Sequence, residues 1–334
     1  LSSHAFVQPH AATGRTVSIL VVGTVALDSV ETPFGTAHRL LGGSATYLAL
    51  AARYFWPEVR LVAVVGRDFP EAYRQVLQQA GVDLEGLVVN EQEDTFAWGG
   101  RYHYDLNERD TLYTHLNALA TFDPVLPATY RDSQIVCLGN LDPHLQQRVL
   151  DQVEAPAFVT CDTMNYWIEH TPEALRAVLR RVDCLVVNDA EARQLAAEPN
   201  LIRAARKIQA MGPRIVIIKK GEHGALLFFE EEIFSAPAYP LEDVFDPTGA
   251  GDTFAGAMAG FLATQQCFDE AALRQAVIYG SALASFVVER FGPDRLLALT
   301  LEEISQRVAA FRRLTMFPEV DLQTLALPGL NHAT

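Results

Sequence analysis

Asp246-Pro247-Thr248-Gly249-Ala250-Gly251-Asp252-Thr253-Phe254-Ala255-Gly256-Ala257 is the most informative stretch of this 334-residue chain. Small residues at 249–251 let the backbone turn tightly and expose several N–H groups. The run behind them, over 250–264, reads as a helix whose positive dipole end adds to those amides. Together they make a cradle for a phosphate, with Thr248 at its lip. Asp252 falls in the first helical turn, beside the cradle. A carboxylate there repels phosphate, so it makes chemical sense as a base accepting a hydroxyl proton, or through a metal ion. Alone, the same pattern also describes an acidic residue at the start of an amphipathic helix.

Outward from this turn, short apolar runs alternate with helical patterning. Ser18–Gly23, Arg60–Gly66, Gln134–Leu138, Ala157–Asp162, Cys184–Asn188 and Arg214–Lys219 read as strands. Ser44–Tyr54, Phe69–Ala80, Pro143–Val153, Pro172–Arg180 and Leu201–Met211 read as helices between them, and Ala250–Thr264, Asp269–Glu289 and Leu301–Leu314 as three more at the end. Continuous apolar strands alternating with helices predict an α/β, doubly wound, mostly parallel sheet with helices on both faces. Two stretches break the rhythm, at about 31–42 and 95–116. In the second, Phe96, Trp98, Tyr102 and Tyr104 fall on even positions, and Asn107-Glu108-Arg109-Asp110 suggests a turn into another strand. Both are expected to be strand insertions forming a small sheet off the main domain. Residues 1–15 and 317–334 show no periodicity and are expected to be irregular.

The twelve residues quoted above resemble, at every motif position, the second signature of the PfkB or ribokinase-like family of carbohydrate and nucleoside kinases. Further landmarks follow in that family's order: Gly23, Asp28, Gly42-Gly43, Asn188-x-x-Glu191 and Lys219-x-Gly221-x-x-Gly224. The resemblance covers about Val17 to Phe291 and implies a ribokinase-like domain over 16–316, with the two insertions as a β-strand lid. It implies an ATP- and Mg2+-dependent kinase acting on an alcohol group of a sugar or ribonucleoside. Asp252 would be the catalytic base, and Gly249, Ala250 and Gly251 the anion hole. Asp28, Gly42, Gly43, Ser44 and Tyr47 would line the substrate site. Thr248, Asn188, Lys219, Gly221 and Gly224 would meet the nucleotide, and Glu191 the Mg2+. An Asn188–Glu191 pair, with Asp189 beside it, is equally a helix N-cap. At Tyr47 the family usually has an Asn that touches the sugar. An aromatic there, with those at 96–104, offers a stacking face for a nucleobase, which tilts the expected substrate toward a ribonucleoside. The alternative from another class is a noncatalytic sugar or nucleoside sensor on the same fold, although a pure binder has no use for a base.

Composition narrows the field. With 41 acidic against 26 basic residues, the net charge of −15 argues against a nucleic-acid partner. No uncharged apolar run reaches the ~18–20 residues of a membrane span. Cys137, Cys161, Cys184 and Cys267 lie far apart without C-x-x-C spacing, which points to a reducing, cytoplasmic compartment, and the first three, in strand-like runs, read as small core side chains. P-loop, dinucleotide, H-E-x-x-H and G-x-S-x-G motifs are absent. An apolar face left open on the lid would pair two subunits. From Gly221 to Leu273 the chain carries ten carboxylates and no Lys or Arg. A nucleotide bound there needs backbone amides, helix dipoles, Mg2+ and Lys219 to hold it.

Overall fold

Uninterrupted runs of Val, Ile and Leu form the centre of the computed structural model, which describes residues 17–265 and 267–318. In chain order the strands are β1 (Ile19–Val22), β2 (Ala26–Thr32), β3 (Gly35–Gly42), β4 (Val59–Gly66), β5 (Val82–Asn90), β6 (Ala97–Tyr102) and β7 (Arg109–His115). There follow β8 (Ile135–Leu138), β9 (Phe158–Asp162), β10 (Cys184–Asn188), β11 (Ile215–Lys219), β12 (Ala225–Phe229) and β13 (Glu232–Ala236). Nine of them form one sheet in the order β13-β12-β11-β10-β9-β8-β1-β4-β5. Neighbours from β11 to β5 pair in parallel. The β12–β13 hairpin closes one edge antiparallel.

Alternation along each strand feeds two cores. Ile19 and Val21 of β1 pack in one, Leu20 and Val22 in the other, all of them fully buried. Sheets buried on both faces require such continuous apolar strands. From β1 the chain builds to one side through β4 and β5, and later to the other through β8–β11. This reversal makes the carboxyl end of β1 a topological switch point, where open α/β sheets hold their ligands.

Helices Ser44–Ala52 and Ala250–Ala263 lie side by side at that end. Their approach depends on two glycines four residues apart. A Cβ on Gly256 would overlap the Leu48 backbone, and one on Gly260 would sit 2.6 Å from Ala52 O. Positions 48 and 52 thus face 256 and 260, so the helices run parallel and open at the same edge of the sheet. The two interrupting stretches form a second, four-stranded sheet in the order β3-β2-β6-β7. Its first hairpin begins at Ala26, five residues before the expected insertion at 31.

Helix and strand bounds otherwise follow the expected ones closely. β5, the β12–β13 hairpin and the helices Asn165–His170, Asp189–Ala196 and Asp294–Leu297 are additions to the expected pattern. Among the described residues, no helix is long and apolar enough to cross a membrane. Of the ends expected to be irregular, 1–15 and 319–334 lie outside the described residues. Cys137, Cys161 and Cys184 are buried, as small core side chains.

Candidate active site

Three neighbouring parallel strands end together, and each delivers one side chain to the switch point: Asp162 from β9, Asn188 from β10 and Lys219 from β11. Asn188 lies directly opposite Lys219 in the ladder. Lys219 Nζ lies 3.5 Å from Asp162 Oδ2, with both side chains largely buried. Burial works against the lysine's charge. The carboxylates of Asp162, Glu191 and Asp252 outweigh it and hold its pKa above the ordinary value.

Asn188 caps the helix Asp189–Ala196 in a reciprocal box. Its side chain accepts from Glu191 N–H at 2.8 Å, and Glu191 Oε2 accepts from Asn188 N–H at 2.8 Å. Asn188, not Asp189, is therefore the cap. The same turn brings the Glu191 carboxyl into the cluster. Burial first, and then the Asp162 charge, push its pKa up to about 7 against the opposing pull of Lys219.

The glycine-rich turn faces this cluster. Asp246 fixes it from behind, accepting from Thr248 N–H at 2.9 Å and Gly292 N–H at 3.1 Å. Gly249 adopts φ +78, and any Cβ there would run into the Tyr47 ring. The helix that follows has no side-chain cap, so its N-terminal amides and dipole are left for an anion. Among the three expected anion-hole amides, that of Ala250 is already donated to Pro247 O at 3.2 Å. A Cβ on Gly251 would lie 2.6 Å from Lys219 Nζ, which places the amine against the turn. Asp252, on the next residue, has its pKa pushed up to about 7, mainly by burial and by Asp162, with Lys219 and Arg109 acting the other way.

On the other side of the cleft, Asp28 of β2 accepts from Gly43 N–H at 3.2 Å. Gly42 gives it room, since a Cβ at 42 would overlap the Asp28 carboxyl. Burial, followed by the charges of Asp246 and Asp252, pushes its pKa up to about 7, although the Gly43 bond pulls down.

One expected contact needs correction, and two more residues have packing roles of their own. Tyr47 offers no stacking face: its ring is 2% exposed and packs beneath the Gly249 turn. The Ser44 hydroxyl is committed to Thr24, accepting from Thr24 N–H at 3.1 Å and meeting Thr24 Oγ1 at 3.2 Å. Gly224, at φ +82, is explained by the backbone of β13, because a Cβ there would overlap Ala236 O.

The second sheet arches over the cleft. Thr248 Oγ1 donates to the Tyr102 hydroxyl at 3.2 Å. At the tip of the β6–β7 hairpin, Asn107 Oδ1 lies 2.5 Å from where a Gly221 Cβ would be. Even spacing does not give the aromatics one face: Tyr102 is buried and Tyr104 is 91% exposed. β6 ends at Tyr102, so Tyr104 lies in the turn beyond it, and a register shift between Gly99 and Gly100 separates Tyr102 from Trp98. Asp162 and Arg109 are site residues that the sequence pattern did not single out. The first reads as an ordinary strand end and the second as part of a polar turn.

With the fold and cleft defined, comparison with known proteins supplies the class. The pfkB family carbohydrate kinase model matches residues 16–298, and the chain belongs to that family of kinases acting on sugars and nucleosides. It is 28% identical over 251 residues to a cytidine kinase of Thermococcus kodakarensis, covering 74% of this chain and 88% of that protein. The fold matches the Methanocaldococcus jannaschii nucleoside kinase with a TM-score of 0.73 at 20% identity, covering 88% of this chain and 99% of the other. It also matches a putative ribokinase II from E. coli, solved with ATP and Mg2+, with a TM-score of 0.73 at 22% identity and coverage of 88% and 99%.

Proposed function

We propose that this chain transfers the γ-phosphoryl group of ATP to a hydroxyl of a ribonucleoside. The observation that carries the reading is Asp252: a half-buried carboxyl placed where the glycine-rich turn, an uncapped helix N-terminus and the Lys219 amine converge. Two cytidine and nucleoside kinase relatives among the similar proteins favour a nucleoside over a free sugar.

Asp28 accepts hydrogen bonds from the acceptor's hydroxyls, which are charge-assisted when the carboxyl is ionised. The amides around Gly251 and the Lys219 ammonium hold the γ-phosphate. The acceptor oxygen forms its bond to phosphorus as the bond to the β,γ-bridging oxygen breaks, and ADP departs. Asp252 takes the hydroxyl proton. In a loose transition state that proton leaves late, so the position of Asp252 matters more than its basicity.

The donor set fits a Mg2+ ion. Asp162, Glu191 and Asp252 bring three carboxyls against Lys219, and burial with mutual repulsion raises Glu191 and Asp252 to about 7; a bound cation would relieve that repulsion and favour their ionised forms. Among the described residues no group of three or more His, Cys, Asp and Glu is arranged to hold a metal ion, so Mg2+ would need phosphate and water ligands beside one or two carboxylates. Glu191 and Asp162 would hold it, and it would neutralise charge on the phosphate oxygens. The sheet above the cleft excludes water and so protects ATP from hydrolysis.

The test is ADP release with Mg-ATP and a panel of cytidine, uridine, adenosine, inosine, ribose and fructose. Turnover on at least one nucleoside supports the reading. Turnover on the free sugars alone refutes the nucleoside assignment, and none on any acceptor refutes the kinase.

A further inference from the structure

Arg109 opens β7, directly opposite Tyr102 in the ladder of the second sheet. Its guanidinium lies over the Trp98 ring, with Cζ 5.4 Å from the centroid, and hydrogen-bonds to Tyr102. Tyr102 in turn meets Thr248, at the lip of the glycine-rich turn. Beyond Arg109, the hairpin tip sets Asn107 against Gly221, just past the end of β11. The hairpin thus bridges the two walls between which a γ-phosphate would lie, and Arg109 sits on that span. The residue keeps access to solvent, although Tyr102 and the cleft carboxyls crowd its charged end.

Electrostatics agree with the placement. Burial opposes the arginine's charge, while Tyr102, Glu191 and Asp252 favour it. Its charge also reaches Asp28, so the guanidinium stands above the middle of the cleft, acting on the acceptor-side carboxyl as well as on Asp252. Lys219 and Arg109 both act against the charges of Glu191 and Asp252.

Resting on the kinase reading, we propose that Arg109 is a catalytic residue carried by the lid, its guanidinium contacting the phosphoryl group in transfer. During that step the bond from γ-phosphorus to the bridging oxygen breaks and the bond to the acceptor oxygen forms. The proton goes to Asp252, and negative charge gathers on ADP and on the equatorial oxygens. A planar guanidinium presents paired N–H donors that match two phosphate oxygens, which an ammonium cannot do. A guanidinium carries five N–H donors, so its contacts with Trp98 and Tyr102 leave donors for the ligand. The cation reaches the phosphate only with the hairpin in place, so the lid would complete the active site as well as cover it.

The test compares wild type, Arg109→Ala and Arg109→Lys, using the nucleoside panel and, separately, binding of Mg-ADP with aluminium fluoride, a planar mimic of the transferring group. Arg109→Ala is expected to lower kcat by about 10³-fold, the scale of an arginine donated to a phosphoryl transition state. The acceptor KM should stay within about threefold, as befits contact made only in the transition state. Aluminium fluoride should add thermal stability to the Mg-ADP complex of wild type but not of Arg109→Ala. Free guanidinium should restore part of the lost rate in Arg109→Ala and none in Asp252→Asn, and Arg109→Lys should recover little. Arg109→Ala loses the Trp98 and Tyr102 contacts of one hairpin residue, so its unliganded melting temperature should fall by no more than a few degrees. A kcat for Arg109→Ala within about threefold of wild type, or an unchanged aluminium fluoride shift, overturns the proposal. A wild type that neither binds Mg-ADP nor turns over any acceptor overturns the kinase reading instead.

Discussion

Replacing Asp28 by Asn should make this protein more stable, and more so as the pH rises. The Asp28 carboxyl is 6% exposed, and its pKa is pushed up to about 7 chiefly by burial, with Asp246 and Asp252 adding repulsion. A folded value above the unfolded one means that the folded chain binds the extra proton. The resulting stability is fully present below about pH 4, the unfolded range, and is lost as pH rises through about 7. At about 1.4 kcal/mol per pH unit, the whole displacement corresponds to about 4 kcal/mol as an upper figure. Asn keeps an oxygen for the Gly43 N–H and never ionises. Its advantage should therefore grow by up to about 1.4 kcal/mol per pH unit between about pH 4 and 7, and level off above. Urea unfolding of both proteins at pH 5, 6, 7 and 8 measures this gap. A gap independent of pH, or a less stable Asn variant at pH 8, would refute the reasoning. The acceptor KM should rise in the same variant, so that stability and substrate binding move in opposite directions.

Other consequences concern the two walls of the cleft. With the Asp252 pKa at about 7, kcat/KM should climb with pH through about 7 and flatten above it; a rising limb in the ordinary carboxylate range would contradict this environment. Gly249→Ala should destabilise by about 1–2 kcal/mol for its left-handed backbone and about 1–3 more for the overlap with Tyr47. Gly251→Ala meets only the end of the flexible Lys219 side chain, so it should melt near wild type yet lose about 10²-fold in kcat, the low end for a displaced oxyanion donor. Melts and kinetics that reverse this order would show the turn to be packed differently. Glu191→Gln keeps an oxygen for the Asn188 N–H, so the helix cap should survive while the Mg2+ concentration for half-maximal rate rises about 10-fold or more. An unchanged Mg2+ requirement would leave Glu191 a cap and nothing more.

The parallel sheet was legible because its strands are buried on both faces and therefore read as continuous apolar runs. β5 escaped for the opposite reason. At the sheet edge it alternates buried and exposed residues from Val82 to Gly86, with Asp83 and Glu85 outward. The β12–β13 hairpin escaped because its two-residue turn, Glu230-Glu231, lacks the Asn-Gly or Asp-Gly signal, and Glu230 takes φ +51 without a glycine. The glycine-rich turn, Asp28 and Lys219 could be found one motif at a time. Asp162 could not, because its meaning comes from ending its strand beside Asn188 and Lys219, a relation set by sheet order. Arg109 needed the lid's register as well, which no local pattern carries across the shift at Gly99. Tyr47 was misleading: an aromatic at a substrate position suggested stacking, whereas the ring serves as the floor beneath Gly249.

The central claim is that Asp252 accepts the proton from the acceptor hydroxyl. The most direct measurement is the kcat for ADP release by Asp252→Asn beside wild type, on the best acceptor of the panel and with Mg-ATP binding followed in parallel. The account predicts a loss of about 10²–10⁴ in kcat with Mg-ATP binding retained. An Asn variant that binds Mg-ATP and turns over within about threefold of wild type would contradict it.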